Sequence, residues 1–270
     1  MLPIHQLLQS AAKRRHPLPD EQTDAFRLVD GTGDGLAGAE IDQLGGHWLV
    51  STRDTAIPHE LQQTLSATDR SVYHKRLDPR EKSSPQHLCG PAIDAPFFIH
   101  ENGMRFELSF HSGYSQGLFL DQRDNRLALR KKMQPGQTLL NTFAYTGAFS
   151  VAAALAGATT TTLDLSQPYL DWSKRHFGHN QLDPDAHYFC KGDAFHWLHR
   201  FARQKRRFDA IVLDPPTFSR DHKGKVFRVE RDYGSLISLA TDCLVNDGTI
   251  LAATNCRQLD DAQFLDIIRQ

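Results

Sequence analysis

Between Asp121 and Thr254, short apolar segments rich in β-branched residues alternate with segments of helical periodicity, a pattern that few folds accept. Strands are predicted over Thr138–Phe143, Thr159–Leu165, Ala186–Lys191, Phe208–Leu213 and Thr249–Thr254. Helices are predicted over Gln122–Lys132, Ala148–Ala156, Pro168–Phe177, Ala194–Arg203 and Tyr233–Leu244. Strands separated by crossover helices build a parallel, doubly wound α/β sheet. The preceding residues differ. Phe26–Val29, Gly46–Thr52, Ser71–Arg76 and Met104–Phe110 look like short strands, with a helix over Ile57–Leu65 and a loop over Asp78–Pro96. The expected organisation is a small α+β domain over 1–110, read as strands and turns without long helices, followed by an α/β domain over 111–270.

The run Phe208–Leu213 stops at Asp214-Pro215-Pro216-Thr217-Phe218-Ser219. Proline lacks the N–H and fixes φ, so two prolines end the strand in a stiff, polar-tipped loop. Ligands of open α/β sheets bind outside the carboxyl ends of the strands. Asp214, Pro215 and Pro216 therefore read as the wall of an active site.

Two glycine patterns compete for a cofactor. Gly33-Asp-Gly35-Leu-Ala-Gly38 matches a dinucleotide fingerprint literally, but the segment from Ala39 onward is interrupted by Gly45 and Gly46 and leads into another strand. It opens no helix toward a pyrophosphate, so a hairpin turn is expected instead. Asn141-Thr-Phe-Ala-Tyr-Thr-Gly147 follows the first parallel strand and does open a helix. One glycine suffices for a ligand without pyrophosphate, such as S-adenosylmethionine, whose ribose and adenine call for carboxylates at the strand ends. Asp164, with Leu165 and Ser166, ends the second parallel strand and is placed to accept the ribose hydroxyls. Asp193, with Ala194, follows the third and is placed to hold the adenine amino group; Asp214 ends the fourth. Each aspartate taken alone also fits a helix N-cap.

The formal net charge of −1 excludes blanket coating by nucleic acid. The cations are nevertheless clustered, at Arg200, Arg203, Lys205, Arg206 and Arg207 and at Lys223, Lys225, Arg228 and Arg231. The second cluster adjoins the Asp-Pro-Pro loop, and Lys223 and Arg231 are expected to steady phosphates. Four separated cysteines with no C-x-x-C fit neither a disulfide framework nor a zinc knuckle, and suit a reducing cytoplasm. No apolar run reaches the ~18 residues of a membrane span. Among fourteen histidines, His176/His179 and His196/His199 have helical spacing but lack a third ligand, and are read as surface residues. No metal is expected.

Gly117-Leu-Phe-Leu-Asp-Gln-Arg-Asp-Asn-Arg126, the Asn141–Gly147 turn and Asp214–Ser219, in this order, resemble the methyltransferases that modify bacterial large-subunit (23S) ribosomal RNA. The resemblance covers about residues 97–268. It implies a Rossmann-like methyltransferase domain using S-adenosylmethionine. Phe119, Asp121, Gln122 and Arg123 would then border the cofactor, and Phe143, Ala144, Tyr145, Thr146 and Gly147 would lie beneath its methionine part. The partner implied is ribosomal RNA or a large-subunit precursor particle. Tyr169–Lys174, Asp214–Ser219 and Phe227–Asp232 are more similar to a guanine-N7 branch than to a cytosine-C5 branch. Guanine N7 offers a lone pair and needs only alignment, whereas cytosine C5 first needs a cysteine to add to the ring. Cys256, in Thr254-Asn-Cys-Arg257, is the candidate for that cysteine. In the family pattern the chain lacks the N-terminal RNA-binding domain of many C5 members and the final antiparallel strand pair. The alternatives are the C5 enzyme, an NAD-dependent dehydrogenase, and an RNA-binding module without catalysis.

Overall fold

The structure is a computed structural model describing residues 3–16, 18, 20–53, 57–78, 83–220 and 226–269, with residues 219–220 described by their backbone only. The chain divides into two compact units, Met1–Arg123 and Asp124–Gln270.

The first unit opens with helix α1 (Ile4–Arg15), against the expectation that this region lacks long helices. Ile4, Leu8 and Ala11 recur at helical spacing and form its buried stripe. Strands β1 (Ala25–Asp30), β2 (Ala39–Leu44), β3 (His47–Thr52), β4 (Ser71–Arg76) and β5 (Gln86–Cys89) form one sheet in sequential order, with helix α2 (His59–Ser66) between β3 and β4. Strand β5 lies within the segment expected to be loop. Helices α1 and α2 supply Ile4, Leu8, Leu61 and Leu65 to a core shared with Phe26, Leu28, Ile41, Val50 and Val72 of the sheet. Antiparallel β6 (Phe97–Glu101) and β7 (Met104–Leu108) follow. The Gly33–Gly38 segment lies between β1 and β2, which pair antiparallel, so the literal dinucleotide fingerprint is a hairpin connection.

Asp34 of that connection ties α1 to β1. Its carboxylate accepts from Arg15 Nη2 at 2.6 Å, from the Asp30 N–H at 2.6 Å and from Arg14. Burial alone would push its pKa up, but the two guanidiniums and the backbone N–H outweigh it and hold the carboxyl at about 2.

The second unit starts with helix α3 (Arg123–Lys132), whose first residue lies on the boundary between the units. It continues β8 (Thr138–Thr142), α4 (Ala148–Leu155), β9 (Thr159–Asp164), α5 (Gln167–His179), β10 (Tyr188–Lys191), α6 (Ala194–Arg203) and β11 (Phe208–Leu213). The short strands β12 (Phe218–Arg220) and β13 (Val226–Arg228) form a hairpin that the sequence pattern did not predict. Helix α7 (Val229–Thr241), strand β14 (Leu244–Ala252) and helix α8 (Asp261–Arg269) follow. The helix begins before the predicted Tyr233 and the strand before Thr249. The partner register jumps between Phe208 and Ala210, where residues 245–248 bulge out with Asp247 at φ 62°.

The sheet order is β10-β9-β8-β11-β14, with every pairing parallel. Counted along the chain this is 3-2-1-4-5. The order reverses between β8 and β11, which places a switch-point crevice beyond Thr142 and Leu213. At the other end of these strands Asp209 Oδ2 accepts from the Thr138 N–H and hydroxyl, both at 2.8 Å, locking their register.

A depressed acid pKa contributes stability above its unfolded value of 3.8 and loses it as pH falls through about 2. Asp34→Asn should therefore cost about 2 kcal/mol at pH 7. In urea unfolding, the gap from the wild type should close as pH falls from about 4 to about 2.

Candidate active site

The turn after β8 holds three left-handed residues within five positions. Phe143, Tyr145 and Gly147 adopt positive φ of 51°, 50° and 76°, and for bulky residues the left-handed region is rare. The neighbouring elements hold it there. The Ala144 N–H donates to Leu163 O at 3.0 Å, and the Tyr145 N–H to Asp164 Oδ2 at 2.8 Å. Below, fully buried His176 of α5 donates from Nδ1 to Thr146 O at 2.9 Å. His176 is thus no surface histidine; it props the turn from within. Gly147 packs so closely on α5 that a Cβ there would stand 1.9 Å from Ser173 Oγ. Phe143 and Tyr145 are partly exposed, while Thr146 is buried and offers the turn its carbonyl.

Asp164, at the tip of β9, is partly buried, which raises its pKa; N–H donors from Ser166, Tyr145 and Leu165 pull the other way. Oδ1 accepts from the Ser166 N–H at 2.9 Å, and Oδ2 from Tyr145. Two carboxylate oxygens carry about four lone-pair positions, so the three N–H donors leave one for a further donor. Leu165 is exposed beside it, and Ser166 begins α5. Asp193 caps α6, accepting from the His196 N–H at 2.9 Å through Oδ1. The simpler N-cap role is therefore real, with Oδ2 outside that bond. Ala194 is buried.

Asp214 follows β11, with Pro215 buried and Pro216 exposed. Three contacts anchor this loop. The Ala253 N–H donates to Leu213 O at 2.9 Å, and the Thr217 hydroxyl donates to Asn255 Oδ1 at 2.6 Å. The hydroxyl of fully buried Tyr233 lies 2.9 Å from both Leu213 O and Ala253 O, across the tips of β11 and β14. Burial, with the Asp214 charge nearby, drives the Tyr233 pKa far up and keeps the phenol protonated. Sequence pattern gives no sign of Tyr233, because an aromatic on an amphipathic helix looks like ordinary core.

The remaining candidates are dispersed. Phe119 is half-exposed and precedes a 3-10 turn over Leu120–Gln122 that holds Asp121 and Gln122; with Arg123 they belong to the first unit. Cys256 is 5% exposed within the core cluster of β11 and α7, and its thiol donates to Glu230 Oε1 at 3.2 Å. That is the setting of a structural cysteine, since a nucleophilic thiol needs access and an electropositive neighbour. Arg231 is bound by Asp232 through Nε and Nη2, both at 2.8 Å, and by Val226 O. Its guanidinium thus already serves an internal pair. Lys223 and Lys225 lie outside the described residues. In the other basic cluster, Arg206 donates to Thr161 Oγ1 and stacks over Tyr188, Phe201 and Phe208, and Arg207 donates to Asp242 O. No helix among the described residues is long and apolar enough to cross a membrane.

A left-handed turn and acidic strand tips beside the reversal of a 3-2-1-4-5 sheet define a doubly wound α/β domain with a crevice at its strand tips. The profile of the S-adenosylmethionine-dependent methyltransferase family matches residues 40–268, and the chain belongs to that family. It is 36% identical over 262 residues to YwbD of Bacillus subtilis, provisionally named a ribosomal RNA large subunit methyltransferase, covering 93% of this chain and 66% of the relative. Ribosomal RNA large subunit methyltransferase K of Neisseria meningitidis is 40% identical over 191 residues, covering 69% of this chain and 53% of its own. The chain thus spans between about half and two thirds of these relatives. The crystal structure of SMU.776 complexed with SAH superposes with a TM-score of 0.89 at 32% identity, covering all of this chain and 72% of the other.

Gly147→Ala forces a side chain into the left-handed region and onto Ser173. It should destabilise the protein by about 2 kcal/mol or more, read as a lowered urea midpoint at unchanged m-value.

Proposed function

We propose that the chain transfers the methyl group of S-adenosylmethionine to a base of large-subunit ribosomal RNA, with guanine N7 as acceptor. The observation that carries this reading is the bond from the Tyr145 amide to the Asp164 carboxylate at 2.8 Å, which joins the strained turn to the acid beside it. Such a carboxylate keeps an acceptor position for a ribose hydroxyl. The turn backbone, held by His176 and packed through Gly147 on Ser173, is fixed in place to receive a ligand. The chain's residues therefore fit the cofactor, which supplies a methyl group on a sulfonium ready for displacement.

Residues 143–147 would support the methionine part, Asp164 and Leu165 the ribose, and Asp193 Oδ2 the adenine amino group. Asp214 and the proline wall would hold the acceptor base in line, since alignment is the main requirement for a nitrogen lone pair. No proton has to leave N7 before attack, so the site needs no general base. The named functions of the relatives favour ribosomal RNA as substrate. The setting of Cys256 weighs against a cytosine-C5 mechanism, because its thiol is buried against Glu230. Asn255, tied to Thr217, helps position the Asp-Pro-Pro loop.

Burial raises the Asp164 pKa, so binding that needs its ionised form should fade at a higher pH than for an ordinary carboxylate. Calorimetry should show S-adenosylhomocysteine affinity falling on acidification at a higher pH than an ordinary carboxylate would set. Asp164→Asn should bind at least about 10-fold more weakly at pH 7, with a flat profile. An unchanged variant would remove this residue from the site.

Cys256→Ala should methylate RNA within about threefold of the wild type, because N7 alkylation needs no covalent adduct. Complete loss in a folded variant would transfer the assignment to cytosine C5. Mass mapping of large-subunit rRNA from cells with and without the protein identifies the modified nucleotide directly.

A further inference from the structure

Two outward-facing side chains on the β12–β13 hairpin have no part in the site described so far. Phe218 and Arg228 are cross-strand partners. The Phe218 ring is 49% exposed, and the Arg228 guanidinium lies 5.5 Å from its centroid. The hairpin is well anchored. Phe227, adjacent to Arg228 and facing the other way, is buried, with its ring 6.1 Å from Phe143 of the left-handed turn and 6.0 Å from Phe195. The Arg228 N–H donates to Asp232 Oδ2 at 2.8 Å. Phe218 directly follows Thr217, whose hydroxyl is fixed on Asn255.

The two arginines near this hairpin differ in how their charge is engaged. Arg231 is held by Asp232 in a two-point ion pair, whereas Arg228 has no carboxylate within ion-pair distance among the described residues and reaches Glu230 only through space. A guanidinium with no ion pair beside an exposed aromatic ring, on anchored backbone, matches the needs of an unpaired nucleotide. Every base has a π-face that stacks on an aromatic ring, and its phosphate takes a cation.

We propose that Phe218 and Arg228 form a clamp for an unpaired nucleotide flanking the one being methylated. Phe218 stacks its base, and Arg228 contacts the adjoining phosphate. The clamp rests on the RNA-methyltransferase reading above and takes over the phosphate-binding role expected of Arg231. Because stacking tolerates any base, the clamp contributes affinity and register more than sequence choice.

The test uses the full chain, with large-subunit rRNA from cells lacking the protein as acceptor and S-adenosylhomocysteine binding as the check on folding. Phe218→Leu keeps apolar bulk but removes the π-face. It should raise KM for RNA about 10-fold, leaving kcat and S-adenosylhomocysteine affinity within about twofold. Phe218→Trp should restore KM, which a purely structural role for the ring would not do. Arg228→Gln should weaken RNA binding and reduce the slope of log K against log salt by about 0.7, the share of one single-strand phosphate. Wild-type KM in Phe218→Leu, or a Trp variant as impaired as Leu, overturns the clamp while leaving the methyltransferase reading intact. A wild-type protein that binds S-adenosylhomocysteine but methylates no RNA overturns both.

Discussion

The second unit depends on one strained turn. Holding Phe143 and Tyr145 in the left-handed region costs on the order of 1–3 kcal/mol each. The hydrogen bonds from Ala144 and Tyr145 to the tip of β9, and from His176 to Thr146, return roughly 0.5–1.5 kcal/mol apiece. Close packing of Gly147 on Ser173 closes the remaining space. The turn persists because β9 and α5 determine it from two sides. A backbone fixed this way can receive a ligand without reorganising, and Asp164 takes part both in fixing it and in offering an acceptor position.

Strand order then distributes the chemistry. Asp164, Asp193 and Asp214 follow three consecutive strands along the chain, yet the sheet runs β10-β9-β8-β11-β14. Two acids therefore fall on one side of the turn and Asp214 on the other. In the proposed reading, one side addresses the nucleoside and the other the acceptor base. The arrangement depends on the crossover that returns the chain to β11 beside β8. The Asp-Pro-Pro loop is steadied by groups from elsewhere, with Tyr233 across the ends of β11 and β14 and Asn255 on Thr217. These polar contacts add to the stiffness that proline itself supplies.

The outer surface of the same unit separates two kinds of cation. Arg206 and Arg231 look equivalent to Arg228 in a composition count, but each already has internal partners. Only the environment distinguishes a structural guanidinium from one with capacity to bind a phosphate. The same holds for Cys256, whose proximity in sequence to the site does not give its thiol access.

Local chemistry written into the chain was enough for much of this. The alternation of strand and helix, the proline stop after Leu213, the glycine turn after β8 and the acids at strand ends all follow from residue type and period, so they could be read before any coordinates. Helix α1 was not read from the sequence: Ile4, Leu8 and Ala11 keep helical spacing, but the polar residues around them hide the stripe. Other features depend on residues far apart in sequence. The burial of His176 under Thr146, the bridge made by Tyr233, the sealed thiol of Cys256 and the pairing of Phe218 with Arg228 arise when separate elements pack. Pattern alone reports which face of an element is apolar. Only the folded chain decides what that face meets, and hence which polar group is spent on structure and which is left for a ligand.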